Sequence, residues 1–231
     1  LSALTLFGLA PNPFAPPPDH DFEFDRAALI LETNATDGDA EIVLDLKSDV
    51  DLVRLEVKGP MRHGEDDDGD DDGERKVLDL RSDKSLGVGL SQILVETGEP
   101  TLQAVLEAYP AGTYELSGRT LEGRKFRTTL ELTHGLPAAP EILFPAEGDD
   151  DIPVFGLVIE WAPDAHVASW LVELEREDDL VGKIVAILPA GTSSFAVPQG
   201  FLVPGVEYQV GVRASNAEGN VNVRELTFTT L

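Results

Sequence analysis

The chain has 231 residues, enough for two domains of ordinary size, with 42% hydrophobic and 26% charged residues. Its 43 acidic residues against 17 basic ones give a net charge of −26, a surface that repels phosphate backbones and anionic headgroups and so excludes nucleic acid and peripheral membrane partners. The absence of cysteine removes disulfide frameworks and thiolate chemistry, and no apolar run reaches the ~18–20 residues needed to span a bilayer.

Residues 1–18, LSALTLFGLAPNPFAPPP, open with ten uncharged residues and continue into a proline-dense stretch. As an extended strand, Leu4, Leu6, Gly8 and Ala10 would line one face and Ala3, Thr5, Phe7 and Leu9 the other. A segment apolar on both faces requires burial on both. Four readings stay open: a leftover signal-peptide core, a first strand of its own domain, a short helix on a neighbouring surface, or a strand donated to another subunit. A signal peptide is disfavoured by the lack of a basic start and of an A-x-A site, although a chain without an initial Met fits a processed mature protein. PNPFAPPP suits a semi-rigid spacer better than a connector between adjacent strands, which favours donation and makes Leu4, Leu6, Phe7 and Leu9 the expected assembly residues.

From Phe22 onward the signal is β, with Val, Ile, Leu and Thr alternating with polar residues between Gly, Pro, Asp and Asn clusters. Strands are expected over 27–32, 40–46, 52–57, 76–80, 90–95, 113–117 and 126–133. One helix is expected, with Pro100 at its first position and Leu102, Val105, Leu106 and Tyr109 at helical spacing. Two readings compete for NATDGD, residues 34–39: an exposed Asn-x-Thr sequon that would make Asn34 a glycosylation site, and ordinary turn chemistry at Asp37-Gly38-Asp39.

The run from Glu65 to Glu74 holds eight acids, and its removal still leaves 35 against 17, so the acidity is general. Asp68, Asp70 and Asp72 alternate before Gly73, with Glu74 and then Asp79 at the twelfth position. Hard oxygen ligands at alternate positions beside a turning glycine are what Ca2+ takes, and strand-like flanks would make this a calcium-bound β-loop. The competing reading is a solvated acidic loop. A second acidic turn, 148–151, is expected to be a plain loop.

The stretch 134–145, with three prolines, is expected to end one sheet and form a restrained linker. The division expected is therefore an arm and spacer at 1–18, an immunoglobulin-like sandwich at 19–135 with its acidic loop at 64–74, and a second sandwich at 136–231. In the second half, strands are expected over 154–161, 170–175, 183–188, 194–197, 208–214 and 225–230.

Residues 201–220, FLVPGVEYQVGVRASNAEGN, resemble the E–F corner and F strand of a fibronectin type III domain, through Leu202, Pro204 and Tyr208. Trp161 matches that family's buried Trp and Trp170 an aromatic on its next strand, so the resemblance covers about 138–231. It implies a Tyr208 hydroxyl bonded to nearby backbone. The loop that carries Arg-Gly-Asp in integrin-binding members reads SNAEGNVN here, so that activity is not implied. Pro110, Gly112 and Tyr114 repeat a fainter version of the corner. As a whole the chain resembles secreted bacterial proteins with fibronectin type III domains.

The fold class expected is all-β: two tandem immunoglobulin-like and fibronectin type III-like sandwiches, an extended N-terminal arm and one short helix. Four histidines lie far apart, and no G-x-S-x-G, phosphate loop or paired carboxylate motif that carries information is present. The expectation is a non-catalytic extracellular structural protein that self-assembles through its arm, with Ca2+ as the one cofactor to test. The alternatives are a secreted module that binds carbohydrate or a surface partner through its loops, and an enzyme with a carboxylate site that no motif betrays.

Overall fold

In the computed structural model, the residues described are 22–62, 74–178 and 182–231. The first half contains β1 (Arg26–Asn34), β2 (Asp39–Pro60), β3 (Glu74–Arg81), β4 (Leu90–Glu96), the helix α1 (Leu102–Ala108), β5 (Gly112–Thr120) and β6 (Lys125–Leu132), with a 3-10 turn at Lys84–Leu86. The strands expected at 40–46 and 52–57 are one strand of 22 residues, β2. Its buried positions run Ala40, Ile42, Leu44, Leu46 and then change phase to Val53, Leu55, Val57. Ser48 and Leu52 still keep the first phase, so the change falls between Leu52 and Val53, just past Ser48, whose hydroxyl donates to the Val50 carbonyl (2.9 Å) and accepts from the Val50 amide (3.1 Å). The ladders shift register over this stretch, between Lys47 and Leu52 against β4 and between Leu52 and Arg54 against β5, and the strand bends there as bulged strands do.

The kink lets β2 serve two layers. Its first half pairs with β1 and β4, and its second half with β3 and β5, which in turn pairs with β6. Leu31, Leu44 and Leu46 from one layer meet Leu55, Val57 and Leu116 from the other in a single core. The close packing requires glycine twice: a Cβ on Gly59 would stand 2.3 Å from the Tyr114 ring, and one on Gly118 would stand 2.1 Å from the Arg54 carbonyl oxygen. Helix α1 begins after Thr101 as its N-cap, so Pro100 lies outside the helix rather than at its first position. Only Val105 of the helix is buried, against the same core.

The second half contains β7 (Ile142–Phe144), β8 (Asp149–Ile152), β9 (Val158–Trp161), β10 (Ser169–Arg176), β11 (Lys183–Pro189), β12 (Ser194–Ala196), β13 (Glu207–Ser215) and β14 (Val221–Thr230). Two of these correct the sequence reading. Residues 142–144, expected as linker, pair with β9, and the acidic turn at 148–151 becomes β8, which lies parallel to β14. Asp149 there accepts the Ala146 amide at 2.8 Å, so its charge caps the turn and does not break the strand. The layers are β12-β9-β7 and β11-β10-β13-β14. Between them Trp161 and Trp170 pack with ring centroids 5.7 Å apart, in a core separate from the first. Trp170 Nε1 donates to the Ala190 carbonyl at 3.0 Å.

Both corners expected from tyrosine are present. The Tyr208 hydroxyl donates to the Phe201 carbonyl (3.3 Å) and accepts from the Val203 amide (2.9 Å), and the Tyr114 hydroxyl donates to the Pro110 carbonyl (3.0 Å). Burial pushes the Tyr114 phenol up to about 12.

Candidate functional site

The two sandwiches share a sheet. Residues Glu32–Asn34 of β1 lie parallel to Val221–Val223 of β14, so one layer runs from β11 through β14 and β1 into β2. Asn220, 1% exposed, fastens this junction. Its side-chain oxygen accepts the Leu31 amide at 2.9 Å, and its nitrogen donates to the carbonyls of Thr133 (3.0 Å) and Gly135 (2.8 Å). Asn216 donates to Gly135 and Asn222 to Pro137, at 2.8 and 3.1 Å. The loop SNAEGNVN thus holds the proline-rich connector through backbone groups that prolines and glycines leave without a ladder. Sequence reading noted this loop only for its lack of Arg-Gly-Asp; three asparagines at 216, 220 and 222 were the available signal.

Asn34 belongs to the same junction. Its amide nitrogen donates to Glu225 (2.9 Å) and Asp37 (3.2 Å), and its oxygen accepts the Thr36 amide (2.9 Å). The Thr36 hydroxyl in turn bonds the backbone of Glu225. A glycan on Asn34 would displace the two carboxylate contacts. The 34–39 turn is therefore a tertiary contact as well as a hairpin.

Beside it lies a cleft of about 260 Å³ lined by acids, among them Glu32, Asp39, Glu41, Glu99 and Glu225, with Arg213. Arg213 pairs with Glu32, whose carboxyl is nevertheless raised because burial outweighs the guanidinium. Glu41 is pushed up to about 7, first by burial and then by Glu32, Glu96 and Glu99.

Of the residues expected to bind a metal, Asp68, Asp70 and Asp72 lie outside the described residues, as do Leu4, Leu6, Phe7 and Leu9 of the arm. Glu74 opens β3 opposite Pro60, and Asp79 stands five positions further along the strand. The Asp79 carboxylate is engaged by Arg81 (2.9 Å), Arg54 (3.5 Å) and Lys76 (3.6 Å) and is held down at about 2, chiefly by the Arg81 hydrogen bond. Ligation of a cation by Asp79 would cost these contacts. Among the described residues no group of three or more His, Asp or Glu is arranged to hold a metal, and no helix is long and apolar enough to cross a membrane.

One free edge of the long sheet is β11, which pairs with β10 alone among the described residues, as β6 at the other end pairs with β5 alone. Ile184 and Leu188 pack against the core, while Val185 and Ile187 on the other face are 53% and 78% exposed. Lys183 at its start reaches back to Glu173 and to Glu175 (3.2 Å), and Pro189 ends it.

No protein-family model matches the chain, and no curated protein matches its sequence. Among solved structures it is similar to the fibronectin(III)-like modules of Clostridium thermocellum CbhA, at 9% identity and a TM-score of 0.32, over 90% of this chain and 94% of that one. It is also similar to a two-domain fibronectin type III segment of chicken tenascin, at 13% identity and a TM-score of 0.31, over 90% and 97%. The strand pairing and the two tyrosine corners make this chain an all-β protein of two tandem sandwiches, fibronectin type III-like in its second half.

Proposed function

We propose that this chain is a non-catalytic, extracellular structural subunit, whose N-terminal arm adds as a strand to β11 of a neighbouring copy. The observation that carries the reading is the β11 edge, with unpaired backbone groups flanked by the exposed Val185 and Ile187. Natural sheets blunt such edges because a free row of N–H and C=O groups recruits another strand. The arm offers what that edge lacks: an apolar strand bearing Leu4, Leu6, Phe7 and Leu9, held off by an eight-residue spacer that spans ~25 Å as polyproline II. The arm of one copy on the β11 edge of the next makes the contact head-to-tail, and such a contact propagates. Calcium held by Asp68, Asp70, Asp72 and Glu74 belongs to this reading as a stiffening ion, with Asp79 left to its cations.

Light scattering and negative-stain microscopy test it. The full chain is expected to form polymers, and both deletion of residues 1–18 and Val185→Lys with Ile187→Lys to give discrete particles. A truncated protein that assembles just as the full chain does sinks the proposal. The alternative, a secreted binding module, draws on Phe144 and Phe155, aromatics 40% and 65% exposed. It predicts monomers that bind carbohydrate and lose that binding on Phe155→Ala.

A further inference from the structure

The first sandwich carries opposite charge on its two outer faces. On the layer β3-β2-β5-β6, Arg81, Arg54, Arg119 and Lys125 stand opposite one another on successive strands. At the usual strand spacing of ~4.8 Å this row is ~14 Å wide. The next row adds Arg127 beside Asp79, Glu56 and Ser117, and the third adds Lys76 and Lys58 beside Glu115. A fourth row adds Glu74 and Glu131, so seven of the chain's 17 Lys and Arg residues share one face with five carboxylates among the described residues. Asp79, Glu56 and Glu115 neutralise Arg81, Arg54, Lys76 and Arg127. Among the described residues Arg119 and Lys125, both exposed, have no ion-pair partner. With Phe22 and Phe126 they line a shallow cleft of about 520 Å³.

The other layer, β1 with the first half of β2 and β4, turns its outer face the opposite way, because both layers point Leu31, Leu44, Leu55 and Leu116 into the core between them. There Glu32 faces Glu41 across the ladder and Asn34 faces Asp39, with Glu96 one pair further along. Glu99 and Glu225 complete the cluster, against the guanidinium of Arg213. In a chain of net charge −26 the segregation of cations onto one face is a departure from the general surface.

We infer that the cationic face around Arg119 and Lys125 docks onto the acidic junction face of a second copy of this chain. The two faces lie on opposite sides of one sandwich, so neither can satisfy the other within a molecule. Between molecules they match in sign, and a contact of face against opposite face leaves a free face at each end. The inference goes beyond strand addition and does not need it, since the residues it uses lie in neither the arm nor β11. Its salt dependence is distinctive. At about 0.01 M salt the Debye length of ~30 Å lets whole molecules of like charge repel; near 0.1 M, at ~10 Å, only the facing patches interact; near 1 M, at ~3 Å, these too are screened.

Sedimentation velocity on the full chain, with Leu6→Asp and Phe7→Asp to remove arm docking, tests it. Self-association is expected to be strongest near 0.1 M salt and lost near 1 M, whereas apolar strand addition by the unaltered chain survives high salt. Arg119→Glu with Lys125→Glu on this background is expected to weaken association at least ~10-fold, and Glu96→Lys with Glu99→Lys to do the same. Mixing the two reversed proteins is expected to restore association, because the reversed positions 119 and 125 of one protein then meet the reversed positions 96 and 99 of the other with opposite sign; restoration also shows both are folded. A chain monomeric at every salt concentration, or a mixture no more associated than its parts, overturns the inference. So does a monomer that binds poly-glutamate through Arg119 and Lys125, which would assign the face to another acidic partner.

Discussion

Asn220 shows how much one side chain carries here. It serves an amide of β1 and two carbonyls of the connector, all from a loop that belongs to the second sandwich. Asn220→Ala leaves these groups buried without partners, and since each orphaned group costs ~1–3 kcal/mol, a loss of about 3 kcal/mol is expected in urea unfolding. Asn220→Asp tests geometry against charge: it keeps the acceptor for Leu31 but loses both donors, and it should remain well below the parent protein. If Asn220→Ala unfolds at the parent's midpoint, the junction is held by strand pairing alone. The tyrosine corners were readable in sequence because a Pro stands four residues before each Tyr and the partners of each hydroxyl are local, four to seven residues upstream. The asparagine clamp was not, because its partners lie 85 to 189 residues away.

The elements were legible wherever alternation ran without interruption, as in β1, β10 and β13, whose interior positions are buried in turn. β2 misled because its alternation changes phase between Leu52 and Val53, which in sequence is the mark of two strands and in space is one strand bent between layers. Where β1 and β2 meet the second sandwich, Glu41 gives the junction a pH dependence. Its carboxyl rises from 4.5 to about 7 in the folded state, so the native protein holds that proton more tightly than the unfolded chain. Its contribution is then most favourable below pH 4.5 and is lost as pH rises through the window from 4.5 to about 7. Glu41→Gln is expected to leave the melting temperature unchanged near pH 4 and to raise it near pH 8. Equal shifts at both pH values would place the effect in packing and not in ionisation.

At the scale of the whole molecule, the layer from β11 to β2 is continuous through the pairing of Glu32–Asn34 with Val221–Val223, so the two sandwiches are joined by a shared sheet as well as by the connector. A shared sheet suits a repeating subunit, whose neighbours must meet at the same angle every time. If calcium stiffens it further, chelation should lower the melting temperature of the full chain, and replacing Asp68, Asp70 and Asp72 with Ser should abolish the difference. An unchanged melting curve on chelation would leave the acidic run a solvated loop.

By itself the sequence determined the all-β class, the two cores and the corner tyrosines, because period-two alternation and turn chemistry are local and survive without knowledge of what packs where. Only the tertiary structure decided which strands share a layer, that β1 joins β14 across the proline-rich connector, and that cations scattered from Arg54 to Arg127 line up on one face. Those facts depend on register between distant strands, where a slip of one residue exchanges the two faces and no single segment records the choice.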